Sequence, residues 1–130
     1  MIILTIRTDR PEAEVGLFEN ERQVNYLKWT AHKELSVTLN SKIDVMLNKS
    51  SKSLDDIGGI IVFKGPGSFT GLRIGLSVAN ALSYSLNIPI VSSTTEQWIT
   101  NGFKKLQNDE NEKIALPEYG SDAFVSTPRK

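Results

Sequence analysis

The sequence predicts an α/β fold, a mixed five-stranded sheet in the order βββαβαβα with helices on its faces. Three observations point to it. Residues 2–29 fall into short β-rich runs separated by tight polar turns. From residue 32 the apolar period changes to that of an amphipathic helix. An apolar run ending at Phe63 then feeds a glycine-rich turn and a second helix, a strand-to-helix alternation typical of layered α/β domains.

Each element follows in order. Ile2–Ile6 is the first strand, and Ala13–Phe18 (AEVGLF) the second, with Asp9-Arg10-Pro11 as the turn. In Gln23–Trp29 the residues Val24, Tyr26 and Lys28 share one face, and Asn25, Leu27 and Trp29 the other. Such short connections imply an antiparallel meander. From His32 to Asn48, Leu35, Leu39, Ile43, Met46 and Leu47 line one face of a helix that Thr30 is placed to cap. Residues 48–56 form a polar loop. Ile57–Phe63 reads as a strand buried on both faces and paired in parallel through a helical crossover. Phe69–Leu86 is a long helix, apolar around most of its girth, ended by Asn87 and Pro89. Ile88–Val91 is a short strand, and a third helix runs from Thr94 to about Leu106, with Ser93 or Thr94 as its cap. The organisation is thus one domain over 1–106, a charged linker over 107–113 (QNDENEK) and an extended tail over 114–130.

Fifteen basic and fifteen acidic side chains cancel, so no global field concentrates nucleic acid or anionic membrane. No Lys/Arg cluster is interleaved with aromatic residues, which argues against direct reading of RNA. The absence of cysteine excludes disulfides, a thiolate nucleophile and Cys-ligated zinc. The one histidine, His32, argues against a multi-His metal site or a Ser-His-Asp triad. The start, MIILTIRTDRP, is apolar for too few residues to be a signal-peptide core or a membrane span, so a cytoplasmic protein without membrane attachment is expected.

The segment Lys64 to Gly75, KGPGSFTGLRIG, is the chain's main candidate site. A strand, a glycine turn and a helix start together favour anions, because free N–H groups and the helix dipole point at the turn. The phosphate fingerprints do not fit. Gly65 to Gly71 has one residue too many for a Walker loop, and Leu72-Arg73 stands where Lys-Ser/Thr belongs. Gly65-x-Gly67 is followed by glycine four residues later, not three. A mechanical reading stands beside the anion one: Gly71, Gly75 and Ala79 form a small-residue stripe that lets a neighbouring helix, or another chain, approach closely.

IVFKGPGSFTGLRIGLSVANALSYSLNIPIVSSTTEQW resembles the signature of the TsaB (YeaZ) proteins, which work in tRNA N6-threonylcarbamoyladenosine modification. The similarity reaches back to MIILTI and AHKELS and covers roughly residues 1–105. It implies an actin-like ATPase fold, also called Hsp70-like or ribonuclease-H-like, usually present twice per chain. Here it implies one such domain, with most of the second missing and the tail similar to the family's closing segment. The family's first strand leads into Asp-Thr-Ser, whereas this one leads into Arg7-Thr8-Asp9. Arg7 stands where ATP-hydrolysing fold relatives place an acid, and it would repel Mg²⁺ yet could meet an anion. His32 alone cannot reproduce the metal-binding histidines of the related TsaD enzymes, and it reads as a helix-start residue.

The resemblance implies a non-catalytic partner that binds and activates a TsaD-like enzyme, with no cofactor on this chain alone and with ATP or ADP and metal on the enzyme. A TsaE-like ATPase is a further candidate partner, contact with tRNA is indirect, and a homodimer is expected when the partner is absent. The expected interface is Leu35, Leu39 and Ile43 of the first helix with Gly71, Leu72, Gly75, Leu76 and Ala79 of the second; Gly75→Leu should abolish it while leaving the chain folded. The alternatives are a small nucleotide-binding protein, using Arg7, Gly65, Gly67, Ser68 and Thr70 as anion contacts, and a self-associating module.

Overall fold

The structure is a computed structural model and describes residues 1–31 and 34–118. His32, Lys33 and the tail beyond Glu118 lie outside the described residues, and with them His32 as a helix-start residue and most of the tail's likeness to a closing segment. The elements are β1 (Ile2–Arg7), β2 (Glu12–Glu19), β3 (Arg22–Thr30), α1 (Leu35–Lys49), β4 (Ile57–Phe63), α2 (Phe69–Leu86), β5 (Ile90–Ser93) and α3 (Trp98–Gln107), with a short 3₁₀ turn at Leu54–Asp56. The order βββαβαβα holds.

The sheet order is β3-β2-β1-β4-β5. β1 pairs antiparallel with β2, as β2 does with β3, because short turns allow nothing else. β4 and β5 join in parallel through the crossovers that carry α1 and α2. α1 lies against β2 and β3, and α2 against β1, β4 and β5, so both cover one face. Leu4, Ile6, Val15, Leu17, Ile60, Val62 and Ile90 are buried within the domain. α3 covers the other face, where Phe103 stacks edge-on against Phe18, Trp98 against Phe63, and Gly102 sits on Ile61. Ile60 and Ile61, adjacent on β4, are both fully buried, as expected of a strand covered on both sides.

Three boundaries differ from the sequence reading. Thr30 ends β3 opposite Glu12 and does not cap α1; Glu34 takes that place with no side-chain bond. The pairing runs past Thr30, since the Ala31 amide donates to the Pro11 carbonyl at 3.0 Å. β5 is shifted to Ile90–Ser93, because Phe63 pairs with Ser93 and the Lys64 amide donates to the Ser93 carbonyl. That consumes Ser93 as strand and delays α3 to Trp98; the Thr95 hydroxyl instead accepts the Gln97 amide in a turn.

Residues 108–118 fold back onto the domain. The Asn111 side-chain oxygen accepts the Ile90 amide, and the Glu112 amide donates to the Ile90 carbonyl. The Glu112 carboxylate accepts both the amide and the hydroxyl of Ser92, at 2.7 and 2.6 Å, while Lys105 Nζ donates to the Ser92 carbonyl. The outer edge of β5 is thereby satisfied without another strand. The chain continues over α2, where Asn80 exchanges two hydrogen bonds with the Ala115 backbone, and reaches β4, where the Glu118 amide donates to the Lys64 carbonyl.

Candidate functional site at the strand ends and helix α2

Arg7, Asp9 and the glycine turn meet at the carboxyl ends of β1 and β4. Arg7 and Asp9 are two apart, so both project to the same side at the strand end. The guanidinium grips the carboxylate with two bonds, Nε to Oδ1 at 2.7 Å and Nη2 to Oδ2 at 3.2 Å, with both side chains 6% exposed. It lies 3.9 Å from the centroid of the Phe63 ring, and Glu96 approaches at 3.6 Å. Burial alone would lower the Arg7 pKa, but the bonds to Asp9 and the nearby carboxylates of Glu96 and Glu14 outweigh it and raise it. The anion against Arg7 is therefore Asp9 of the same chain. The sequence reading missed Asp9 as its partner, although the i, i+2 spacing carried the signal.

The turn between β1 and β2 fills the glycine loop. The Thr8 hydroxyl donates to the Gly71 carbonyl at 2.7 Å, and the Ser68 amide donates to the Asp9 carbonyl at 3.1 Å. A Cβ on Gly67 would overlap Asp9 Cβ, and the Asp9 carboxylate oxygen lies 3.2 Å from that position. Gly65, at φ +116, lies in the region that glycine alone tolerates, and a side chain there would strike the Glu118 carbonyl. The peptide Gly65–Pro66 is cis. Ser68 is the N-cap residue of α2 without a side-chain bond, and exposed Thr70 opens onto a shallow cleft with Thr8, Arg10 and Ile74. Gly65, Gly67, Ser68 and Thr70 thus do share one turn, but Thr8, Asp9 and Glu118 take its inner side.

The eight residues expected at a partner interface need correction. Leu35, Leu39, Ile43, Leu72, Gly75, Leu76 and Ala79 are buried within this chain, and Gly71 is half-buried. The small-residue stripe does serve a close approach, but the approaching group is Thr8: a Cβ on Gly75 would overlap its hydroxyl, and one on Gly71 would overlap its carbonyl. Gly75→Leu is therefore a folding lesion rather than an interface probe. Among the residues that α1 and α2 leave exposed are Val37, Ser41 and Val45 on one helix and Phe69, Thr70, Arg73, Ser77 and Tyr84 on the other.

A second polar cluster lies on the α3 side of the sheet. The Tyr26 hydroxyl donates to Glu14 Oε1 at 2.5 Å, and Arg10 Nη2 donates to Oε2 at 3.0 Å, so the buried Glu14 is satisfied on both oxygens. Burial and the Glu14 carboxylate push the Tyr26 hydroxyl pKa well up. Thr5 Oγ1, beside Gly16 and the Tyr26 ring, is buried with no partner among the described residues. Among the described residues, no group of three His, Cys, Asp or Glu side chains is placed to hold a metal ion, and no helix is long and apolar enough to cross a membrane.

Comparison with known proteins fits this geometry. The family model for TsaD, tRNA N6-adenosine threonylcarbamoyltransferase, matches residues 29–113. The chain is 36% identical over 107 residues to the tRNA threonylcarbamoyladenosine biosynthesis protein TsaB of Bacillus subtilis, covering 78% of this chain and 45% of that protein. It therefore spans less than half the length of that curated relative. Among solved structures, YeaZ from Pseudomonas aeruginosa superposes with a TM-score of 0.67 at 22% identity, over 72% of this chain and 43% of that one. RuvC of Thermus thermophilus superposes at 0.54 with 10% identity, over 75% and 66%. These likenesses show the actin-like ATPase, ribonuclease-H-like fold. The glycine loop, the helix that follows it and the five-stranded sheet, taken with these relatives, place the chain in the TsaB/YeaZ family of tRNA threonylcarbamoyladenosine biosynthesis proteins.

Proposed function

We propose that this chain is a non-catalytic subunit that binds and activates a TsaD-like enzyme in tRNA threonylcarbamoyladenosine formation. The observation that carries this reading is the closure of the strand-end site. A Mg²⁺–nucleotide pair needs an acid at the end of β1 and an open glycine turn. Here a cation, Arg7, is locked to Asp9, and Thr8 and Asp9 fill the turn. Those residues do not fit the group, which supports assigning nucleotide and metal to the partner.

The partner-facing surface in this reading is the outward side of α1 and α2. Val37 and Phe69 are well exposed there, with Val45 and Tyr84 further along the same helices. With no enzyme present, the same side pairs two copies of the chain. A TsaE-like ATPase is the candidate third component, and tRNA is met through the enzyme.

Titration calorimetry with a purified TsaD-like enzyme tests this. The wild-type chain is expected to bind, and Val37→Asp to weaken binding about tenfold or more, since a charge buried at an apolar contact costs at least ~1.4 kcal/mol. Its melting temperature should be unchanged, because Val37 is exposed. Tight binding of ATP or ADP with Mg²⁺ to the chain alone would instead establish the nucleotide-binding reading.

A further inference from the structure

We infer that the strap over residues 111–118 forms part of the surface that meets the partner, with Ile114 and Leu116 as its apolar anchors. The inference rests on the partner reading above. It starts from where the exposed apolar side chains lie. Among the described residues eight large hydrophobic side chains are exposed, and six of them, Val37, Val45, Phe69, Tyr84, Ile114 and Leu116, belong to α1, α2 or the strap.

The helical spacing makes the surface continuous. Phe69, Arg73, Ser77, Asn80 and Tyr84 follow one another at intervals of four, four, three and four, which keeps them on one stripe of α2. Asn80, in the middle of that stripe, is the residue that clasps the strap through both of its side-chain atoms, at 2.8 and 3.0 Å to the Ala115 backbone. Arg73 and Ser77 line the cleft on the outer side of α2 with Thr70 and Ile74, and they also line the cleft against Ile114–Pro117. α2 is thus flanked by α1 on one side and by the strap on the other.

The strap has the form of a presented ligand. Ala115 is buried, while its neighbours Ile114 and Leu116 are 65% and 67% exposed, as alternation along an extended segment requires. A strap whose task was only to seal the domain would turn its aliphatic side chains inward. Its backbone is already fixed by Asn111 and Glu112 at β5, by Asn80 at α2 and by Lys64 at β4, so little ordering entropy remains to be lost on binding. The outward residues of α1 and α2 mix Ser, Thr, Asn and charged side chains with Val37, Val45, Phe69 and Tyr84, and buried aliphatic or aromatic anchors normally dominate such contacts. Ile114, Leu116 and Tyr84, the last 89% exposed, supply them. The matching partner surface is an apolar groove with a carboxylate at its edge for Arg73, which here stacks on Phe69.

The test compares the double variant Ile114→Asp/Leu116→Asp with Val37→Asp for binding to a TsaD-like enzyme. Melting temperature and hydrogen exchange at the Ala115 amide check that the strap stays in place. The double variant is expected to lose about tenfold or more in affinity with melting and exchange unchanged. Unchanged or tighter binding by the double variant, while Val37→Asp weakens it, overturns the role of the strap and leaves the partner reading standing. No binding by the wild-type chain overturns both.

Discussion

Arg7 shows how a buried cation is held at a strand end. A cation at the end of β1 is tolerated because Asp9 neutralises it, Phe63 stacks beneath it and Glu96 faces it. Removing one member of so buried a pair leaves the other uncompensated, so Arg7→Met is expected to destabilise by about 3–5 kcal/mol, and Arg7→Met with Asp9→Leu to recover much of the loss. Urea denaturation of the two singles and the double measures the coupling; additivity would mean that the pair does not hold the turn. Tyr26 gives a pH signature. Its hydroxyl pKa is raised by burial and by Glu14, whereas in the unfolded chain it ionises near 10. The folded state thus keeps a proton that the unfolded state loses. Stability from this group is complete below about pH 10 and falls as pH rises above it. Tyr26→Phe should flatten that alkaline fall, at a cost of about 1.5–3 kcal/mol at neutral pH for the lost bond to the Glu14 carboxylate. An unchanged alkaline limb of the stability profile would contradict it.

At the scale of elements, the question is how an edge strand of four residues persists. Among the described residues β5 has a strand, β4, on one side only, and its other edge is closed by the strap and Lys105. Glu112→Ala removes the acceptor for the Ser92 amide and hydroxyl together. Hydrogen exchange at the Ser92 amide should then quicken while the amides of β1 and β4 stay protected, because local opening follows locally lost bonds. Equal protection in the variant would show that the strap does not close the edge. α2 illustrates the other limit of local reading. Its apolar girth is explained by the sheet beneath and α1 beside it, so no second chain is required for burial. Its exposed residues, among them Phe69, Arg73, Ser77 and Tyr84, are left to meet one.

On the scale of the whole molecule, the sequence by itself determined the element order, the mixed sheet and most core positions. Apolar period and turn chemistry are local properties, and both agree with the global fold here. It also determined that the glycine loop lacks the phosphate spacings, since a fingerprint is a matter of counting residues. The helix starts were less legible: Thr30 and Ser93 look like caps, yet strand pairing claims both. What only the tertiary structure decided is which partner each surface takes. Thr8 and Gly71 lie 63 residues apart, so nothing in a small-residue stripe names Thr8 as the group it admits. Asn80 and Ala115, 35 apart, fix the strap in the same way. A residue's periodicity tells that a face is buried; only the path of the rest of the chain tells whether its own sheet or another protein does the burying.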